Sequence, residues 1–389
     1  MSANDAGRVR VTHISSAHRV SDNRVHLREC ASLVELGYAV SLVGVETPEG
    51  VVLPDTGVDL RTLPSRRRLS RMTIGSMRAV REALSTRASI YHLHDPELVW
   101  AIPILKFSGA KVVYDAHEDL PDQVAGKPYI PHSLRPAASW LARSVVQLSR
   151  SADHVVAATE RIAERYEPAH VSVVKNYPRL TSGSRSGRTT DSRADQVVYV
   201  GALGDQRGAV TMIRALAREE FPEEWSLAIA GNIPQALYHR LELDSGWEKV
   251  RFEGFVSPVV ARELIAQSRI GFVLFLPSDA HLEALPTKMF EYFAEGVPVI
   301  ASDFPLWRSI IETYDCGLLV DPTSPSQVAR AVAQYANDRG LWQRHSDNAL
   351  KAAETDLNWA SQQEVLGKAY ARLSGGQAPS SQQKGDSRR

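Results

Sequence analysis

Short apolar runs, each closed by a polar or glycine-bearing loop and followed by residues at helical spacing, recur along the chain. RVRVTHISS reads as a strand ending near Ser15. RVHLRECASLVELG then sets Val25, Cys30, Leu33 and Val34 near one helical face, with Gly37 as a stop. YAVSLVGVE, ASIYHLHD and AKVVYDAHE are further strands, the last two ending in His/Asp clusters, and HVVAATERIAERY with HVSVVKNYP supplies strand, helix and strand. This alternation predicts a parallel sheet in α/β layers. Residues 179–196, RLTSGSRSGRTTDSRADQ, interrupt it with almost no apolar side chains and read as a flexible connection. A second array follows. QVVYVG, SLAIAG, VRFEGF, IGFVLFLP, VPVIASD and GLLVD are strands, IGFVLFLP ending at Pro277; AVTMIRALA and PTKMFEYFAEG are helices. Helices are also expected over 325–337, 339–353 and, as a final amphipathic segment, 359–373, with a disordered tail from 374.

The 389 residues, 43% apolar and 23% charged, allow two domains with substantial cores. Lys plus Arg, 45, equals Asp plus Glu, 45, which argues against bulk attraction to nucleic acid. One stretch departs from that balance. Residues 64–87 hold Arg66, Arg67, Arg68, Arg71, Arg78, Arg81 and Arg87 against Glu82 alone. A solvated arginine-rich helix is one reading, and a surface for peripheral contact with anionic lipid is the other. Cys30 and Cys316 are too few for a disulfide framework. The first eight residues lack the apolar core of a signal peptide, and no apolar run approaches the roughly 18 residues of a membrane span. The expected location is cytoplasmic, or peripheral on the inner face of a membrane.

The stretch HLEALPTKMFEYFAEGVPVIASD, residues 281–303, carries the chemistry. Pro286 suits the first position of a helix, which makes Leu285 the N-cap, and leucine cannot cap. The amides of Thr287 and Lys288 are then free, beside a lysine in the first turn, and such a helix start attracts anions. Glu291 lies about 7–8 Å further along the axis and suits hydroxyl groups to one side of the anion. Glu283 suits those on the other side, so the pattern describes a nucleoside diphosphate with ribose and a sugar flanking it. A surface loop would explain the glutamates alone; the strand end, the uncapped helix and a glycine-rich loop elsewhere favour the ligand. That loop is GALGDQRG, with Gly201, Gly204, Arg207 and Gly208. It differs from the GxGxxG dinucleotide fingerprint, and on its own it reads equally as a phosphate loop or a solvent-facing turn.

GALGDQRG, VRFEGFVSP and EALPTKMFEYFAEGVPVIASD together resemble the nucleotide-binding half of family 4 retaining glycosyltransferases of GT-B fold. HLHDPELVW and VVYDAHEDLP resemble the other half, so the likeness covers about residues 9–373 and is most specific over 283–303. It implies two Rossmann-like parallel-sheet domains facing across a cleft. These are an acceptor-side domain over 9–178, a linker over 179–196 and a nucleotide-sugar domain over 197–356, followed by a helix over 357–373 that crosses back and a tail over 374–389.

Residue by residue, the resemblance implies that Glu283 binds donor-sugar hydroxyls and Glu291 the ribose. The backbone of Ala284, Leu285, Pro286 and Thr287 approaches sugar and phosphates, with Gly201 and the cation Arg207 at the diphosphate. Phe255 and Val256 lie near the base, and His117 reaches the sugar near its reacting carbon. A second cation, usual after the first glycine, is replaced by Ala202, which leaves Lys288 as its substitute. The loop SSAHRVSDNRVH lacks the family's paired glycines, so Asp22, Arg24, His94 and Asp95 are the acceptor-side candidates.

The implied reaction moves a sugar from a nucleotide-diphosphate donor, with UDP the carrier expected on family grounds, to an acceptor hydroxyl. The acceptor is a glycan, a lipid-linked sugar or a small molecule. The anomeric configuration is retained and the leaving phosphate takes the acceptor proton. Arg207, Lys288 and the helix start stabilise the departing charge. No Asp-x-Asp motif occurs, and neither metal nor cofactor is expected. A sugar-nucleotide epimerase of the same fold is the first rival. A metal-dependent hydrolase using His92, His94, Asp95, Asp115, His117 and Glu118 is the second, although HLHDP lacks the further Asp-His of a common binuclear motif.

Overall fold

Val11, Ile14, Val43, Leu93, Val112 and Val156 are fully buried, and the strands that carry them lie side by side. They are β1 (Arg10–Arg19), β2 (Ala39–Val45), β4 (Ile90–Leu93), β5 (Lys111–Ala116) and β6 (His154–Ala157), with β3 (Asp59–Leu63) and β7 (Val171–Val173) at the edges. The order is β3-β2-β1-β4-β5-β6-β7 and every pairing is parallel. This first unit comprises Met1–Asn176 and Gln362–Arg389; the second is Tyr177–Ser361. The computed structural model describes residues 7–47, 52–117, 120, 135–180 and 193–376.

The second unit holds β8 (Ala194–Val200), β9 (Ser226–Ala230), β10 (Val250–Gly254), β11 (Ser268–Val273), β12 (Val299–Ser302) and β13 (Gly317–Val320). They form a parallel sheet in the order β10-β9-β8-β11-β12-β13. Successive side chains of β8 face opposite ways. Val197 and Tyr199 pack with Met212, Ile213 and Val332 on one face. Val198 packs with Leu264, Phe290 and Phe293 on the other. Both faces are thus covered by helices, as near-continuous apolar strands require. In each sheet the strand order reverses beside the first strand, between β1 and β4 and between β8 and β11. Ligands in open parallel sheets sit at the carboxyl ends of such strand pairs.

Several elements differ from the sequence reading. β1 runs to Arg19 rather than Ser15, with a register break between Ile14 and Arg19. β11 stops at Val273, four residues short of Pro277, because the chain leaves the ladder and Leu276 N–H donates to Gln206 at 2.9 Å. The helix after β1 opens as a π-turn over Asn23–Cys30 before the α-helix Ala31–Glu35. The half-polar strand β3 and the helix Arg135–Ser149 lie in segments without a clean apolar period. Of the expected linker, residues 181–192 lie outside the described residues, as do Glu118 and the tail from 377. No helix among the described residues is long and apolar enough to cross a membrane.

Candidate functional site

In the second unit, the loop after β8 meets the start of the helix Thr287–Ala294 at Lys288 and the chain after β11 at Leu274, and the loops after β9 and β10 are joined by Gly231 N–H donating to Gly254 at 2.7 Å. Two glycines make the approach possible. Gly231 has φ +143°, and a Cβ there would stand 2.1 Å from the carbonyl oxygen of Gly201; Gly208 has φ +73°, and a Cβ would stand 2.1 Å from that of Leu274. Any side chain at either position would force the loops apart. Gly201 N–H donates to Ala230 at 2.8 Å, and Leu203 N–H to Asn232 at 2.9 Å. The carbonyl of Ala202 accepts from Tyr199 Oη at 2.9 Å and Arg207 Nη1 at 2.7 Å, so a short network shapes the loop.

The helix starts one residue later than Pro286: Pro286 is itself the N-cap, with φ −71° and ψ 117°, and no side chain caps the helix. Proline is extended here rather than helical, which moves the free amides but leaves the end open toward the loop. Trp307 Nε1 donates to Ala284 at 2.7 Å, holding the segment before the helix. Glu283 is exposed, Glu291 half-buried on the helix, Phe255 81% exposed and Val256 half-buried.

Lys288 is the unusual residue. It is 7% exposed, and Nζ sits 3.5 Å from the Tyr199 ring centroid and 5.7 Å from that of Phe275. It would stand 3.7 Å from a Cβ on Gly201, and it has no hydrogen-bond partner among the described residues. Burial drives its pKa well below the lysine value, Arg207 depresses it further, and Glu291 opposes the shift. A guanidinium, a buried amine that an anion would help to recharge and two aromatic faces at an open helix start favour a polyanion.

In the first unit, polar groups gather at the carboxyl ends of β1, β4 and β5. Arg24, 7% exposed, places Nη2 3.2 Å from Asp115 Oδ1, Nε 3.0 Å from Glu29 Oε1 and Nη1 3.0 Å from the Val174 carbonyl. Burial and then Asp115 hold the Glu29 carboxyl well above the usual range. Burial also acts to raise Asp115, but Arg24, His117 and His94 outweigh it and keep Asp115 well below. Of the two carboxyls, Glu29 is therefore the one held toward its protonated form and Asp115 the one held toward the anion. Burial brings His117 down to about 3 against the pull of Asp115, so its imidazole is neutral.

Asp95 Oδ2 accepts from Ser15 Oγ at 2.8 Å and from the amides of Ser16 at 2.6 Å and Ala17 at 3.1 Å, which organises the loop where β1 loses register. Asp22 caps the π-turn, accepting from Arg24 N at 2.8 Å and Val25 N at 2.9 Å. The four acceptor-side candidates do not all line one cavity. His94, Asp95 and His117 line a cavity of about 640 Å³ together with His18, whereas Asp22 and Arg24 do not line it. Asp22 caps the helix and lies 3.3 Å from Nδ1 of His18, which does line the cavity, while Arg24 is held in the buried ion pair. His18, which the sequence reading did not single out, lies between Ile14 and Arg19, where β1 changes register.

His94 Nδ1, Asp115 Oδ2 and His117 Nε2 lie 3.2 to 3.3 Å from one another. That spacing suits a tetrahedral ion at about 2.0–2.1 Å, so these three could hold one. A second group, His13, Glu29, His92 and His94, is fully buried. Tyr370 Oη from the helix Trp359–Leu373 lies 2.8 Å from His92 Nδ1 and closes this second group.

Residues 184–352 match the family model for glycosyl transferases group 1, and residues 23–176 that for a glycosyl transferase 4-like domain. A lipopolysaccharide core biosynthesis glycosyltransferase, LpsE of Rhizobium meliloti, is 27% identical over 58% of this chain, and the match spans 64% of that relative's length. Among solved structures, sucrose-phosphate synthase from Thermosynechococcus elongatus superposes with TM-score 0.73 at 16% identity, covering 95% of this chain and 100% of that one. Anabaena HepE in complex with UDP-glucose gives TM-score 0.71 at 13% identity, covering 94% and 100%.

Proposed function

The chain carries the two domains of a glycosyltransferase enzyme on a GT-B fold, and from that premise we propose that it transfers a sugar from a nucleoside-diphosphate donor to an acceptor hydroxyl, with retention and without a metal. The observation that carries this reading is the buried, unpartnered amine of Lys288 at the open helix start. A buried ammonium without a partner is costly, and a diphosphate supplies the missing anion. Arg207 and Lys288 hold the two phosphates, Glu291 accepts from the ribose, Glu283 from the sugar, and Phe255 with Val256 border the base. Gly201 and the backbone of Ala284, Leu285, Pro286 and Thr287 approach the diphosphate and sugar. UDP is the proposed carrier, in keeping with the UDP-glucose complex of HepE.

In the reaction the bond from the anomeric carbon to phosphate breaks as that to the acceptor oxygen forms, and the acceptor proton passes to the departing phosphate. Arg207 and Lys288 stabilise charge that grows in this step. In the first unit, His117 is neutral and offers a ring nitrogen for a substrate hydroxyl, while His94 and Asp95 line the cavity proposed for the acceptor.

A thermal-shift screen of nucleoside diphosphates and their sugar conjugates tests the donor reading. Saturation at about 100 times Kd is expected to stabilise the protein by about 2.7 kcal/mol, and by far less in Lys288→Met. No shift with any of them would remove the donor site. Product analysis with a labelled donor separates transfer from epimerisation. Donor hydrolysis is expected to survive chelation. If chelation abolished it and zinc restored it, the triad of His94, Asp115 and His117 would be a metal centre and the metal-free reading would be wrong.

A further inference from the structure

The arginine-rich segment forms a helix over residues 68–85, built as Arg68–Ser70, a π-turn Arg71–Gly75 and Ser76–Ser85. Its outer surface mixes two chemistries. Leu69 is 81%, Met77 54%, Ile74 45% and Met72 38% exposed. Between them Arg67, Arg68, Arg78 and Arg81 are exposed and make no ion pair among the described residues. The segment's one acid is engaged outside it, Glu82 taking Arg61 at 2.8 Å, while Glu97 takes Arg71 of the segment itself at 2.9 Å. The outward guanidinium groups of Arg67, Arg68, Arg78 and Arg81 thus share their face with exposed aliphatic side chains.

The same helix borders the cavity that holds His94, Asp95 and His117. Arg68, Arg71 and Met72 form one wall, and Leu141 with Val145 of the helix Arg135–Ser149 form another. Trp140, beside that second wall, is 69% exposed. The cavity lining thus joins buried polar side chains, His94, Asp95 and Asp115, to apolar ones, Met72, Leu141 and Val145, and to the arginine-bearing helix. Free saccharides have no need of an aliphatic rim. Nucleic acid would use the arginines but not exposed Leu69, Ile74 and Met77. An anionic lipid surface uses both, because the guanidinium groups meet headgroups while the aliphatic chains enter the interface.

We infer that the face bearing Arg67, Leu69, Met77, Arg78 and Arg81 docks on an anionic bilayer, and that the acceptor entering the adjoining cavity is lipid-borne. This rests on the reading of that cavity as the acceptor side. The test uses the full chain and vesicles of equal parts phosphatidylglycerol and phosphatidylcholine, with pure phosphatidylcholine as control. Co-sedimentation at low salt is expected with the anionic vesicles only. Arg67→Glu/Arg78→Glu/Arg81→Glu is expected to weaken it by roughly tenfold or more. Leu69→Ser/Met77→Ser should weaken it also, while both variants keep wild-type donor hydrolysis, since none of these residues lines the cavity. Absence of vesicle binding in a protein that still binds UDP would overturn the inference and leave the donor reading standing. So would equal binding to a DNA duplex, or triple-variant binding unchanged from wild type.

Discussion

The ammonium of Lys288 stands 3.5 Å from the centroid of the Tyr199 ring, at the strand end from which the Gly201 loop departs. A residue of the first helical turn is thereby packed beneath the loop that would carry a diphosphate. Burial first, and Arg207 second, lower its pKa, so between that depressed value and 10.5 the unfolded chain holds a proton the folded one lacks. Stability of the free protein rises with pH across that window. A bound diphosphate restores the charge, so UDP binding at about pH 9 should take up a proton. Calorimetric titrations in buffers of different ionisation enthalpy would show it as a buffer-dependent heat, absent in Lys288→Met. A buffer-independent heat in the wild type would refute proton uptake by Lys288.

Arg207 and Glu291 should fail differently. Glu291→Gln loses charge-assisted acceptance worth roughly 1.5–3 kcal/mol, so donor affinity should fall about tenfold or more. Arg207→Ala removes an interaction that strengthens as the phosphate departs, so turnover should fall by more than binding. Donor hydrolysis kinetics with both variants decide this; near-wild-type values for both would sink the assignment.

Gly231→Ala tests the close approach of two loops. Its Cβ would sit 2.1 Å from the Gly201 oxygen at φ +143°. The expected cost is at least about 2 kcal/mol, with weaker UDP binding in the protein that remains folded. Thermal melting with and without UDP measures both, and an unchanged melting point would mean that the loops are not held this tightly.

The buried pair Glu29 and Asp115 should leave a mark on stability against pH. Glu29 keeps its proton above the ordinary carboxylate value, so in that window folding binds a proton and stability falls as pH rises. Asp115 behaves oppositely: its contribution is present above 3.8 and is lost as pH falls through its lower folded value. Glu29→Gln keeps the neutral shape and should remove the first slope at little cost. Arg24→Met takes the guanidinium from Asp115, leaving it the imidazoles of His94 and His117, and should cost about 3–5 kcal/mol. Urea melts across pH 2–8 would separate the two effects.

Strands, helix order and the likeness over 283–303 were legible because apolar runs and open helix starts are local patterns. The final helix was legible too, and Trp359–Leu373 has the span its apolar stripe predicts. Other features depended on partners remote in sequence. Arg24 sits in a polar loop and looks available to substrate, yet Asp115 and Glu29 draw it inside. β3 was missed because DLRTL is half polar, as an edge strand can be. Lys288 could be placed in a first turn from sequence, but its burial against Tyr199 required the sheet.

Tyr370 joins the histidines of β1 and β4 from near the other end of the chain, 2.8 Å from His92 and 3.4 Å from His13. During synthesis, residues up to Asn176 emerge first, yet they cannot finish their interior until residue 370 has left the ribosome. The second unit, being continuous, is free to mature before the first one closes. Translation order and completion order are therefore inverted. A chain released early would hold a finished second unit and a first unit whose buried imidazoles still lack their phenol.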